Sequence, residues 1–252
     1  MKFTKKQIER YSRQIILKKI GTTGQKKLLN SNVLIVGAGG LGSPVAIYLA
    51  ALGIGKIGII DKDKIEMSNL SRQVIFTTHD LKKNKSSIAI KKIKKINPDI
   101  KVKSFNTILN VKNINKIAKN YDLIVDGSDN FRTRFTINDY CLKTKKILVS
   151  GAISKFDGQV YTFNFSNKKS PCLRCFIPSM PTNPDVDNCE NEGVLGPLAG
   201  IIGSIQANEV VKEILQIGKS LCGYILIINA LTLNFRKVKL NKRSDCYCNN
   251  EK

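Results

Sequence analysis

Over the first 150 residues, short wholly apolar runs alternate with longer stretches in which apolar positions recur every three or four residues. Val33-Leu34-Ile35-Val36 is the first run, β-branched and closed by Gly37. It is apolar at every position and lacks the alternation of a half-exposed strand. This predicts a strand buried on both faces of a parallel sheet. Residues 41–52 predict a helix with Gly53 as its C-cap. Ile57-Gly58-Ile59-Ile60 predicts a second strand, ending at Asp61. Residues 86–96 read as a helix that stops before Asn97-Pro98, since the residue before a proline is disfavoured in helical geometry. A strand at 102–105, a short helix at 111–119, a buried strand at 122–125 ending at Asp126, a helix at 131–142 and a strand at 147–149 complete the series. Such alternation predicts an α/β fold with a doubly wound, mostly parallel sheet.

The pattern changes after Ser150. Residues 158–165 alternate like a half-exposed strand. Residues 166–196 are rich in Pro, Asn and Cys and too long for an inert connection, so this segment is either functional or mobile. Residues 198–217 predict a long helix, and 224–228 with 231–238 an antiparallel hairpin turning at Asn229-Ala230. The sheet is therefore expected to continue in antiparallel strands, followed by a polar, Cys-bearing tail from 241.

Composition narrows the class. The chain has 252 residues, 42% hydrophobic and 24% charged, which supports a sizeable core and excludes wholesale disorder. No apolar run reaches the ~20 residues of a membrane-spanning helix, and Met1-Lys2-Phe3-Thr4-Lys5-Lys6-Gln7 has no apolar core behind its charges. The expectation is a cytoplasmic protein with no membrane partner. The net charge of +23 could signal nucleic-acid binding, yet only eight of the 42 basic residues are arginines. The lysines are dispersed among Ile and Asn, as at 91–97, where Ile88, Ile93 and Ile96 mark the opposite, apolar side of a helix. This is a solvated Lys-rich face, and nucleic acid is not the expected partner.

The first apolar run leads into Gly37-Ala38-Gly39-Gly40-Leu41-Gly42, a G-x-G-x-x-G loop between a strand and a helix. Gly37 permits the tight turn, Gly39 lets backbone amides approach a phosphate, and Gly42 lets helix and strand pack closely. Asp61 ends the next strand, where an acid can bind a ribose hydroxyl. This context makes the parallel half Rossmann-like and nucleotide-binding. Ser68-Asn69-Leu70-Ser71-Arg72-Gln73, then Lys85, then Asp126 and Asp129-Asn130 are placed beyond strand ends, at the edge where such sheets bind ligands. Two cations for phosphates and a carboxylate for Mg²⁺ favour ATP over a dinucleotide. His79, the single histidine, sits in an ordinary loop context, so no histidine general base is expected.

The seven cysteines are odd in number and lie behind no signal peptide, which argues against a disulfide framework. Cys172-Leu173-Arg174-Cys175 has zinc-knuckle spacing, and Cys246-Tyr247-Cys248 can complete a Cys₄ Zn²⁺ site that staples the long loop to the tail. A redox pair is the alternative, disfavoured because the motif reads as Pro-bounded loop and not as a helix start. Cys189 stands in the same segment between Asp187 and Glu190, whose charge opposes thiolate formation. Cys141 and Cys222 read as small buried apolar residues.

Arg10-Tyr11-Ser12-Arg13-Gln14-Ile15, the glycine loop, Asp61, residues 68–73, Lys85, Asp129-Asn130 and the Cys172/Cys175 pair together resemble the ThiF/MoeB family, bacterial relatives of the ubiquitin-activating enzymes, from about residue 8 to 248. The resemblance implies an enzyme that uses Mg-ATP to adenylate the C-terminal Gly-Gly carboxylate of a ubiquitin-like sulfur carrier, ThiS-like or MoaD-like. It also implies a single domain: a helical arm at 1–30, an ATP-binding half at 31–150, and a carrier-binding half with crossover loop and zinc site at 151–252. By resemblance, Gly40 and Asp61 hold the adenosine, Asn69, Arg72 and Lys85 the phosphates, and Asp129 the Mg²⁺. Arg13 would reach the ATP of a neighbouring protomer in a homodimer. Cys189 matches a cysteine that, in some members, links to the carrier or receives sulfur, for which a cysteine desulfurase or other persulfide donor would be needed. The family normally has C-x-x-C in both halves of the zinc site, so Cys246-Tyr247-Cys248 is a departure. Phe76-Thr77-Thr78 with Asp80 resembles the thiamine branch, and Val149-Ser150-Gly151-Ala152 the molybdopterin branch. A tRNA threonylcarbamoyladenosine dehydratase of the same superfamily and an NAD-linked oxidoreductase remain as alternatives.

Overall fold

In the computed structural model, which describes residues 3–181 and 193–249, two helices lead in, α1 (Lys5–Ile15) and α2 (Gly21–Asn30). Thr4 starts α1: its hydroxyl accepts from the Gln7 amide, and the Gln7 side chain accepts from the Thr4 amide. Tyr11 is fully buried, and its hydroxyl accepts from the Asn97 side chain at 2.9 Å, fixing this arm to the body.

Strands β1 (Asn32–Val36), β2 (Lys56–Ile60), β3 (Lys101–Phe105), β4 (Leu123–Asp126) and β5 (Ile147–Ser154) pair in parallel. Between them run α3 (Gly42–Leu52), α4 (Lys85–Ile96), α5 (Ile114–Ala118) and α6 (Phe131–Thr144). Then β6 (Asp157–Asn164), the one-turn α7 (Leu173–Phe176), the long α8 (Gly196–Leu215), β7 (Tyr224–Asn229) and β8 (Asn234–Lys239) follow. The eight strands form one sheet in the order β3-β2-β1-β4-β5-β6-β7-β8, and β6 to β8 are antiparallel. The expected mostly parallel sheet with an antiparallel continuation is present.

Burial explains the first apolar run. Val33 and Ile35 pack with α3, α4 and α8 on one face of the sheet, through Leu49, Ile93 and Val210. Leu34 and Val36 pack on the other, with Ile117 of α5 and Phe135 and Ile137 of α6. A central strand with helices on both sides has no polar face to show. On α4, Ile88 and Ile93 are buried while Lys91, Lys94 and Lys95 are exposed, as the charge pattern implied.

Several elements differ from expectation. The helix at 111–119 shrinks to α5, because Asn110 and Asn113 bond each other's backbone amides and the Asn113 side chain donates to the Ile108 carbonyl. The hairpin turn is four residues long, 230–233, and not the two-residue Asn229-Ala230: Asn229 Oδ1 accepts from the Leu231 and Thr232 amides, and Leu233 takes a positive φ of 52°. Helix α8 begins two residues earlier than expected, since Pro197 fits a helix's first turn. Cys172-Leu173-Arg174-Cys175 forms a helical turn, α7, with Cys172 at its N-cap, not an irregular loop. Cys141 is buried as expected, but Cys222 is only half-buried, with its sulfur 3.4 Å from the Ser170 hydroxyl.

Asp80 secures the segment that leads into α4. Burial alone would raise its carboxyl, but contacts from Lys92 Nζ (2.9 Å) and from the Thr77 hydroxyl (2.7 Å) and amide (3.0 Å) outweigh it and lower it from 3.8 to about 2. A carboxyl held below its unfolded value contributes stability above that value and loses it as pH falls through the folded one. Asp80→Ala should cost about 1–2 kcal/mol at neutral pH. In urea titrations, the gap to the parent chain should close as the pH is lowered from about 5 towards 2.

Candidate active site

Register places the site. Val36 pairs with Ile60 on one side and Asp126 on the other, and Asp126 with Ser150, so β1, β2 and β4 end at one carboxyl edge, past which β5 continues to Ser154. Between β1 and β4 the strand order reverses, which opens a crevice at that edge. A cleft of about 210 Å³ occupies it.

The glycine loop forms one wall. Gly37 has φ +88°, and a Cβ there would lie 2.7 Å from the Gly127 carbonyl oxygen. At Gly42 a Cβ would overlap the Gly37 carbonyl, so helix and loop touch backbone to backbone. Gly39 faces space: a methyl group at that position would find its nearest neighbour, Gln73 Nε2, 3.7 Å away. Gly37, Gly39 and Gly40 line the cleft, whereas Gly42 packs behind it.

Asp61 stands at the end of β2, as expected, and is already occupied: Oδ2 accepts from the Ala38 amide and Oδ1 from the Asp63 amide, both at 2.8 Å. Burial raises its carboxyl, and those two bonds only partly offset that. The carboxylate thus ties the glycine loop to the next strand while lining the cleft.

Arg72 and Lys85 both line the cleft. Arg72 donates to the Ser68 carbonyl at 3.2 Å, and Lys85 is 7% exposed with Asp63 3.5 Å from its Nζ. Gln73 is 3% exposed and lines the cleft, and its buried Oε1 has no hydrogen-bond partner. Ser68, Asn69, Leu70 and Ser71 do not line it. They form the turn that carries Arg72: Asn69 Oδ1 accepts from the Glu66 amide, and the Arg72 amide donates to the Asn69 carbonyl.

Asp129 is exposed at the opposite wall and accepts from Asn130 Nδ2 at 3.1 Å, while Asn130 caps α6 by accepting from the Thr133 amide. Behind them is a buried network. Arg134 Nη2 donates to the Ser128 carbonyl at 2.5 Å, and Nη1 reaches Asp126 (3.5 Å), Ser150 (3.3 Å) and Tyr161 (3.3 Å). Asp126 also accepts from both the amide and the hydroxyl of Ser128. No sequence motif marks Arg134. Its signal was the four-residue step from Asn130, which puts it one turn into the helix that starts at the site. Asp63, residues 107–109, Ile153 and Val194 also line the cleft and carried no motif.

Arg13 is exposed on α1 and does not line this chain's cleft. His79 is exposed in a 3₁₀ turn, and its carbonyl accepts from Lys83 Nζ. Cys189 lies outside the described residues.

The four remaining cysteines meet in space. Cys172, Cys175, Cys246 and Cys248 are buried, with all four sulfurs within 4.8 Å of one another. Cys172 lies 4.0 Å from Cys175 and 3.5 Å from Cys246, and Cys175 3.7 Å from Cys248. A tetrahedral site with Zn–S bonds of ~2.3 Å has S···S edges of ~3.8 Å, which these separations match. The shortened Cys246-Tyr247-Cys248 pair thus reaches both knuckle cysteines. Burial, the largest cause, raises the Cys172 thiol and pushes Cys248 up to about 12, whereas for Cys175 burial is outweighed by hydrogen bonds from the backbone and the neighbouring sulfurs, which lower it.

Among known proteins, the ThiF family profile matches residues 11–250. A sulfur carrier protein adenylyltransferase of Thermus thermophilus is 42% identical over 98% of this chain and 92% of that protein. A probable molybdopterin-synthase adenylyltransferase of Porphyra purpurea is 49% identical over 92% of this chain, which spans only 60% of that relative's length. Among solved structures, E. coli MccB with ATP aligns at a TM-score of 0.82 with 25% identity, over 95% of this chain and 74% of that one.

The glycines separate folding from binding. Gly42→Ala should destabilise the chain by about 2 kcal/mol or more, because backbone must move. Gly39→Ala should leave the melting temperature nearly unchanged yet weaken nucleotide binding. Thermal shift with and without Mg-ATP on both variants checks this.

Proposed function

The chain belongs to the ThiF family, and we propose that it adenylates the C-terminal carboxylate of a ubiquitin-like sulfur carrier with ATP, releasing pyrophosphate. One observation carries the reading: Gly39, Gly40, Asp61, Arg72, Lys85 and Asp129, scattered over 90 residues of sequence, line a single cleft at the switch point of the sheet.

The chemistry suits these groups. A C-terminal carboxylate, with an ordinary pKa of about 3.5, is ionised at neutral pH, so its attack on the α-phosphorus needs no general base. One carboxylate oxygen bonds to that phosphorus, and the bond from phosphorus to the oxygen bridging to the β-phosphate breaks, its electron pair leaving with pyrophosphate. The barrier lies in bringing two anions together and holding them in line. Arg72 and Lys85 neutralise phosphate charge, while the glycine-loop amides and the start of α3 cradle the phosphates. Asp61 keeps lone pairs free for ribose hydroxyls. Asp129 would hold Mg²⁺, which when bound offsets further phosphate charge. Arg13, exposed on α1, is assigned to the cleft of a second protomer, making the working unit a homodimer.

The halves at 31–150 and 151–252 share one sheet, which supports treating the chain as a single domain with nucleotide on the first half and carrier on the second. Ile153 and Val194 give the cleft an apolar wall from that second half, suited to an uncharged peptide tail. Zn²⁺ at the four cysteines has a structural role. Phe76-Thr77-Thr78 with Asp80 favours a ThiS-like carrier over a MoaD-like one, and a cytoplasmic location is part of the same proposal. No described helix is long and apolar enough to cross a membrane.

Incubation with Mg-ATP and ThiS or MoaD separately, followed by mass spectrometry, should reveal an acyl-adenylate on one carrier; its absence from both would refute the proposal. Asp129→Ala should abolish carrier-dependent pyrophosphate exchange, and near-normal exchange would remove Asp129 from the metal site. Arg13→Ala should also be inactive alone. Mixed after dissociation and reassociation, the two variants should recover roughly a quarter of parental activity, because one site of each mixed dimer is then complete.

A further inference from the structure

We propose that Arg174 is a positioning residue for the nucleotide cleft, acting on Asp129 and Arg134 through α6. The inference rests on the reading that this cleft binds Mg-ATP.

Arg174 is the side chain between two of the clustered thiols, and it is held from three directions. Its Nε and Nη2 donate to Asp139 Oδ1 and Oδ2 at 2.9 and 2.7 Å, a two-pronged contact. Its guanidinium lies 4.6 Å from the centre of the Phe135 ring and 5.9 Å from that of Tyr247, the residue between the other two cysteines. The neighbouring Leu173 amide donates to Asn138 Oδ1 at 2.9 Å, and Asn138 is fully buried. The cysteine cluster therefore grips α6 at Phe135, Asn138 and Asp139.

Arg134 precedes the first of those residues, and Asn138 lies one turn further on, a rise of ~6 Å. Arg134 fixes the Ser128 carbonyl, and Ser128 leads directly to Asp129 and to the Asn130 cap of α6. One rigid turn of helix thus separates the contacts that hold the knuckle from those that hold the cleft wall. Rotation or sliding of α6 after release of Arg174 would displace Asp129, which lies beyond the Gly37–Gly127 contact, relative to the glycine loop, whose Ala38 amide is held by Asp61. An isolated exposed ion pair would transmit little. This one is two-pronged, stacked on an aromatic ring and continued by a buried amide bond.

The test measures zinc content and Mg-ATP affinity, by isothermal titration, for Arg174→Ala, Arg174→Lys and Asp139→Asn. Zinc should remain at the parental level, while the Kd for Mg-ATP rises about 3- to 10-fold in Arg174→Ala and Asp139→Asn, as couplings through packed networks do. Arg174→Lys, which keeps the charge and loses the fork, should not restore parental affinity. Parental affinity in Arg174→Ala and Asp139→Asn with zinc retained would overturn the proposal. If Arg174→Ala loses zinc or fails to fold, Asp139→Asn decides, because it breaks the two-pronged contact while leaving Arg174 and all four cysteines in place. Arg243→Ala, which removes the exposed Arg243–Asp245 pair beside the tail cysteines, should bind Mg-ATP as the parent does; weakening there would mean general loosening and also overturn the proposal. Failure of the parental chain itself to bind Mg-ATP would instead refute the functional reading.

Discussion

The chain leaving β1 runs against the chain leaving β4 with no room for a side chain between them. A Cβ on Gly37 would meet the Gly127 carbonyl, and one on Gly42 would meet Gly37. This contact sets the width of the crevice, because it fixes the glycine loop against the loop that bears Asp129. It also leaves Gly39 and Gly40 on the crevice side of the loop. The Ala38 amide is taken by Asp61, so β2 joins the same arrangement. Three strand ends are thus locked by backbone contacts and one carboxylate, and a ligand meets a surface that needs little reorganisation.

The opposite wall depends on a different kind of bond. Asp126 and Arg134 are both almost fully buried, and a buried ion pair is not in itself an efficient source of stability, since desolvation offsets much of the attraction. What the pair supplies is direction. Ser128, Ser150 and Tyr161 saturate it with hydrogen bonds, and Gln206 of α8 donates to the Asp126 carbonyl at 2.8 Å. The loop carrying Asp129 is therefore tied to β5, β6 and α8 as well as to α6. Both halves of the sheet meet in this network, which places an exposed carboxylate on a rigid base.

Much of this was legible in the chain itself, for a physical reason. Strands β1, β2 and β4 are buried on both faces, so each is an almost continuous apolar run, and the spacing of Gly37 and Gly42 records a contact between residues close in sequence. Arg72 and Lys85 were legible as cations beyond strand ends, and both line the cleft. Arg134 was not, because its role is set by partners as distant as Ser150 and Tyr161. The 230–233 turn was misplaced because exposed Leu231 and Leu233 look like strand residues, while the Asn229 side chain bonds the backbone locally and a left-handed residue at Leu233 closes the turn. Asn69 illustrates the reverse case: a residue in the right motif whose side-chain oxygen is engaged in holding the turn.

The cysteine cluster answers a problem created by composition. The segments on either side of it, 166–171 and 241–245, are polar, and the apolar side chains Phe176 and Tyr247 are exposed. Such segments bury too little apolar surface to offset the entropy of ordering them. Four thiols at tetrahedral spacing bring both to the body at one point, where the binding free energy of a metal would become folding free energy. The position of that point matters as much as its strength. Had the staple lain over β8, at the far edge of the sheet, it would have ordered the tail and nothing more. It lies against α6, the helix that begins beside Asp129, so the same contacts that order the periphery also bear on that wall of the cleft.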